Sequence, residues 1–122
     1  MEYESAYKVL ICSDVSINQN ILKEFPKTVK GMLTDSKTLC QIVNSDASKL
    51  AAISYLASIL NIENEDIIAF GDDINDIDMI KNAGLGVAMG NGEDIIKNIA
   101  DYITDTNEND GVAKFLRENN CF

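Results

Sequence analysis

From residue 49 onward the sequence alternates between two kinds of hydrophobic spacing, and that alternation limits the folds open to it. Short apolar runs at 67–70, 85–89 and 102–104 are bounded by glycine or polar residues, as buried strands are. Between and around them apolar residues recur three and four apart. Leu50, Ile53, Leu56 and Leu60, with Ala57 and Ile59 beside them, predict the core stripe of one helix, and Ile77, Ile80 and Ala83 that of another. Further helices are predicted over 93–100 and 112–117. The order helix, strand, helix, strand, helix, strand, helix argues an α/β fold with a parallel sheet and helical crossovers. The preceding third differs. It predicts a strand over 7–12, then a short helix capped by Ser16, with Ile17, Ile21, Leu22 and Phe25 on one face, stopped by Pro26. Strands at 29–34 and 38–43 follow around a turn at Asp35, Ser36 and Lys37. The pattern changes across the polar junction 44–48, which divides the chain into segments 1–44 and 45–122.

Composition narrows the function. With 122 residues and 46% hydrophobic content the chain holds one domain-sized core and is too short for two ordinary ones. A net charge of −10 argues against nucleic acid or an anionic membrane surface as partner. Cys12, Cys40 and Cys121 are odd in number and show no CxxC spacing, so a reducing compartment is expected, with no disulfide or zinc site. The absence of histidine leaves catalysis to carboxylates, lysine, hydroxyls, amides or a hard metal. The first five residues carry neither a basic region nor an apolar one, so the chain reads as cytoplasmic.

Chemistry concentrates after the first of the apolar runs. Residues 72–78 place Asp72, Asp73, Asp76 and Asp78 with Asn75 directly beyond Gly71. In open α/β sheets ligands bind beyond the carboxyl ends of the strands, and close carboxylates repel unless a proton or cation intervenes. Hard oxygen donors on a short turn suit Mg²⁺. An EF-hand is excluded, because its alternate ligand positions meet isoleucines and its glycine is missing. A solvated turn with Asp76 capping the next helix accounts for the same residues. Lys49 lies in the first turn of the helix over 49–60, where a cation opposes the helix dipole unless an anion is close. Gly90, Asn91 and Gly92 make a second loop at a strand's carboxyl end. It serves either backbone freedom or contact with a substrate. In the loop 107–111, Asp110 either caps the last helix or helps order the metal site.

These residues carry a family resemblance. Residues 71–79 (GDDINDIDM), 83–91 (AGLGVAMGN), 100–103 (ADYI) and 110–113 (DGVA) resemble, in order and spacing, the carboxyl-terminal half of haloacid dehalogenase-like (HAD) phosphatases of the Cof type. The resemblance implies a Rossmann-like, parallel-sheet half-core over 45–122, with a partial α/β cap segment over 1–44. It also implies Mg²⁺-dependent hydrolysis of small sugar or nucleotide phosphates through a covalent aspartyl-phosphate. By its motifs Asp72 matches a metal ligand and Asp76 a supporting residue of the metal site. Asn75 matches a phosphate-side residue, Asn91 is a candidate substrate contact, and Lys49 balances the charge of phosphate and nucleophile.

The family's first motif, an apolar strand ending in DxD, has no counterpart in this sequence. The nearest candidate is Asp14, followed two positions later by Ser16. One carboxylate does not serve as both nucleophile and acid/base. A carboxyl-terminal portion of the enzyme is therefore expected, inactive alone and acting on a small phosphorylated metabolite only with its amino-terminal half. Without the DxD strand the strand at 67–70 becomes an open edge, so self-association is also expected. The alternative class is a receiver-like phospho-acceptor domain, which likewise uses Mg²⁺ and a lysine but places its acidic pair early and its lysine late.

Overall fold

The computed structural model describes residues 6–121. It divides into two units, Met1–Ala47 and Ser48–Phe122, and the division falls inside the polar junction 44–48.

The first unit is an antiparallel sheet in the order β1-β3-β2, built from β1 (Lys8–Cys12), β2 (Val29–Thr34) and β3 (Leu39–Asn44). Leu33 and Ile11 flank Cys40 in register, and Cys40 is fully buried. The predicted helix before Pro26 is instead a 3-10 turn over Gln19–Glu24. Asn18, not Ser16, caps it by accepting the Asn20 N–H at 3.0 Å, so the turn starts later and stays short. Leu22 and Phe25 from this turn lie over Gly31 of β2. The β2–β3 connection carries positive φ at Asp35, Ser36 and Lys37, and Thr38 closes it through its N–H and hydroxyl to the Asp35 carbonyl.

The second unit contains the parallel sheet expected from the alternation. Its strands are β4 (Ile68–Gly71), β5 (Leu85–Ala88) and β6 (Tyr102–Ile103), in that order. The helices are α1 (Lys49–Leu60), α2 (Ile77–Asn82), α3 (Asp94–Ile99) and α4 (Gly111–Glu118). Successive strand residues face opposite sides. Ala69 and Ala88 pack with Ile80 of α2 and Ile96 of α3, whereas Phe70 meets the buried Phe115 of α4 edge-on at 5.5 Å. Covering on both faces is what a parallel sheet of short apolar strands requires. Among the described residues the outer edge of β4 is unpaired. None of these helices is long and apolar enough to cross a membrane.

The structure corrects the expected stripe of α1. Only Ala57 is buried, Leu50 and Ile53 are partly so, and Leu56 and Leu60 are 55% and 62% exposed. Tyr55 and Ile59 are exposed as well. Apolar side chains are distributed around this helix, and α1 packs within its unit mainly on α2, a single neighbour too small to cover them. α1 and α3 therefore differ in what truncation costs. Ile96→Ala is expected to destabilise the chain by about 2–5 kcal/mol. Leu60→Ala should change stability by no more than about 0.5 kcal/mol. Urea unfolding followed by circular dichroism checks the contrast.

Candidate functional site

At the carboxyl end of β4 the backbone turns through Asp72 and Asp73 into a 3-10 turn over Ile74–Asp76, which runs directly into α2. Asp73 caps that turn, accepting the Ile74 N–H at 2.7 Å. Asp76 does not cap α2. Its side chain folds back, and one oxygen accepts the N–H groups of Asp72 at 3.1 Å and Asp73 at 3.3 Å. The other oxygen pairs with the Lys49 ammonium. Asp76 is 1% exposed, so both of its oxygens are engaged where water does not reach.

Lys49 arrives there because Ser48 caps α1, accepting the Ala51 N–H at 3.0 Å, so that the lysine is the first residue of the helix. Its unfavourable position at a helix N-terminus is offset by the Asp76 carboxylate. The lysine side chain remains half exposed, so its charge is also open to an incoming anion.

Asp72 is exposed, but its backbone is held. Its carbonyl accepts the Glu93 N–H at 2.9 Å, and the Met89 N–H bonds the Gly71 carbonyl at 2.9 Å. Gly92 presses against this backbone: a Cβ there would lie 3.0 Å from the Asp72 Cα, which is why glycine occupies the position. The loop of Gly90, Asn91 and Gly92 thus lies against Asp72. Asn91 is exposed, and its side-chain oxygen accepts the Asn107 N–H at 2.9 Å, leaving its NH₂ group as a donor. Asn75 sits in the acidic turn with its side-chain oxygen buried and without a hydrogen-bond partner. An orphaned buried acceptor costs about 1–3 kcal/mol unless something donates to it or ligates through it.

Lys49, Asp72, Asp76 and the Asn91 loop therefore meet at one end of the sheet, with Asn75 in the same turn. Asp14 lies in the other unit and is exposed. No group of three or more acidic, cysteine or histidine side chains arranged to hold a metal occurs among the described residues. Asp110 makes no side-chain cap on α4 and adopts a left-handed backbone, φ 54°. Sequence reasoning passed over Asp105. Its carboxylate accepts from the Thr106 N–H at 2.8 Å, the Asn109 NH₂ at 3.0 Å and the Lys114 ammonium at 2.9 Å. These partners, Asn109 first and Lys114 next, hold its pKa down at about 2. The four-residue spacing of Asp105 and Asn109 was the one available signal.

The sequence matches the haloacid dehalogenase-like hydrolase family over residues 1–116. The chain belongs to that family, and its fold is the HAD fold. It is 47% identical over 105 residues to the 5-amino-6-(5-phospho-D-ribitylamino)uracil phosphatase YcsE of Bacillus subtilis, covering 85% of this chain and 42% of YcsE. It is 47% identical over 78 residues to YitU, a phosphatase of the same name from that organism, covering 64% of this chain and 29% of YitU. Among solved structures, a haloacid dehalogenase-like hydrolase from B. subtilis superposes with a TM-score of 0.77 at 33% identity, covering 95% of this chain and 42% of that one. The chain spans less than half the length of these relatives.

Two outcomes test the site's construction. Asp76→Ala strands the Asp72 and Asp73 N–H groups and should lower stability by about 1–3 kcal/mol. Lys49→Ala leaves the buried Asp76 carboxylate without its counter-ion and should cost more, about 3–5 kcal/mol. Chemical denaturation of both variants ranks them. A further outcome concerns acid and Asp105. The Asp105 carboxyl lies below its ordinary 3.8, so its contribution is complete above that value and is lost as pH falls through about 2. An NMR titration should find Asp105 still ionised at pH 3.

Proposed function

We propose that this chain forms the metal-and-lysine side of a Mg²⁺-dependent phosphatase acting on small sugar or nucleotide phosphate monoesters in the cytoplasm. The observation that carries this reading is the clamp at Asp76. It holds a half-exposed lysine charge beside an exposed carboxylate, Asp72, at the carboxyl end of a parallel strand. Phosphoryl transfer demands mainly that positioning and charge compensation. The names of YcsE and YitU, phosphatases of a phosphorylated ribityl compound, support a sugar-like phosphate monoester as the substrate class.

The donors present fit Mg²⁺. Asp72 offers one hard carboxylate and Asn75 an unsatisfied buried oxygen, and Mg²⁺ characteristically takes one or two carboxylates while keeping waters and substrate oxygens. Asp72 would hold the ion, with Asp76 supporting the turn from within. When bound, Mg²⁺ supplies charge neutralisation at the transferring phosphoryl group. Lys49 balances the remaining negative charge, and the Asn75 and Asn91 amides orient phosphate and substrate.

The nucleophilic carboxylate and its acid/base partner are not among these residues. In this reading they come from an amino-terminal half whose DxD strand pairs with the open edge of β4, and the chain self-associates through that edge when the half is missing. The order of elements disfavours a receiver-like domain, whose lysine follows a late strand whereas Lys49 precedes β4.

The test is a phosphatase assay with Mg²⁺ on sugar and nucleotide phosphates, using the chain alone and the chain joined to a DxD-bearing amino-terminal half. Turnover is expected only in the joined protein, falling at least about 100-fold on Asp72→Ala or Lys49→Ala. Ordinary turnover by the chain alone, abolished by Asp72→Ala, would promote Asp14 to nucleophile and overturn the reading. Sedimentation of the isolated chain as a stable monomer at high concentration would remove the open-edge argument.

A further inference from the structure

Outside the clamp, the densest knot of polar contacts lies at Asp105. Its carboxylate gathers Thr106, Asn109 and Lys114, and its backbone carbonyl accepts the Gly90 N–H at 3.1 Å. The same carbonyl lies so close to α4 that a Cβ on Gly111 would come within 2.1 Å of it. The Thr104 hydroxyl, buried, donates to the Gly111 carbonyl at 2.7 Å. One residue thus joins the end of β6, the turn over Asn107–Asn109, the first turns of α4 and the loop after β5.

The contacts continue from that loop to the candidate site. Gly90 lies against the 104–106 backbone with no room for a side chain, since a Cβ would sit 2.9 Å from the Thr104 carbonyl oxygen. Asn91 is tied by the Asn107 N–H, Gly92 abuts Asp72, and the Glu93 N–H bonds the Asp72 carbonyl. An exposed Lys–Asp pair is ordinarily worth little to stability. Here the pair stands at the head of a continuous series of short backbone contacts, so its effect is on placement.

We propose that Asp105 and Lys114 are a positioning pair that sets the backbone of Asp72 through the loop formed by Gly90, Asn91, Gly92 and Glu93. The inference rests on Asp72 being the metal-side carboxylate of the proposed phosphatase. It adds two residues that touch neither metal nor substrate. Ionisation of the Asp105 carboxyl, held well below the ordinary carboxylate range, keeps the pair intact throughout the neutral range. The Lys114 ammonium is correspondingly raised by its bond to Asp105.

Amide hydrogen exchange of the whole chain tests this, with Asp105→Asn, Lys114→Met and Lys114→Arg beside the wild type. Both Asp105→Asn and Lys114→Met should speed exchange at Gly90, Asn107 and Glu93 by about 5–30-fold while leaving the core amides of Ile80 and Val87 unchanged. Lys114→Arg should restore the wild-type rates. Faster exchange at Asn107 with Glu93 unchanged would confine the pair to a local loop role and overturn the proposal, as would unchanged exchange everywhere. Titration with Mg²⁺ alone, read at the Asp72 amide resonance, separates the two readings. A wild-type shift that needs at least threefold more Mg²⁺ in Lys114→Met supports both, whereas no wild-type response counts against the phosphatase reading and leaves the Glu93 rate to decide the positioning.

Discussion

The arrangement at the end of the parallel sheet depends on one buried carboxylate. Asp76 is out of contact with water, and a carboxylate in that position is tolerated only when its oxygens are met by donors. Lys49 meets one oxygen and two backbone N–H groups meet the other. The start of α1, the turn after β4 and the start of α2 are thereby drawn to one point. The same bonding distributes work among carboxylates that would otherwise repel one another. Asp73 caps the turn, Asp76 holds it from within, and Asp72 stays exposed. The lysine, misplaced by the helix dipole alone, is correctly placed once this anion is considered.

A second constraint is uncovered apolar surface. β4 presents an unpaired edge among the described residues, and Tyr55, Leu56, Ile59 and Leu60 leave much of α1's apolar surface in solvent. In the first unit, Val9 and Leu10 of β1 are exposed as well. Scattered exposed apolar side chains are ordinary, but an open parallel-type edge together with an apolar helix surface is a combination that protein chains normally cover. The relatives are more than twice as long as this chain.

Much of the second unit was legible in the sequence. The alternation of apolar runs and helical spacings sufficed for the parallel sheet, because strands of four residues at the centre of an α/β layer have few other ways to be buried. The acidic turn was legible for a similar reason: a glycine, a cluster of carboxylates and a helix in succession leave the side chains at a strand's carboxyl end. The apolar stripe of α1 was misread. Periodicity reports which residues share a face and says nothing about whether a neighbour arrives to cover it. The helix before Pro26 was misread because Asn18 captured the Asn20 N–H, a local side-chain bond that competes with a longer helix.

By itself, the sequence determined the α/β class, the position of the acidic turn and the family, since these follow from local spacing and contiguous motifs. Tertiary structure alone decided that Asp76 is buried beneath Asp72 and paired with a lysine 27 positions earlier, that Asn75 keeps an unsatisfied oxygen, and that Asp105 and Lys114 form a knot behind the Asn91 loop. Each depends on where separate segments meet in space, and hydrogen bonds between segments leave no periodic trace in the order of residues.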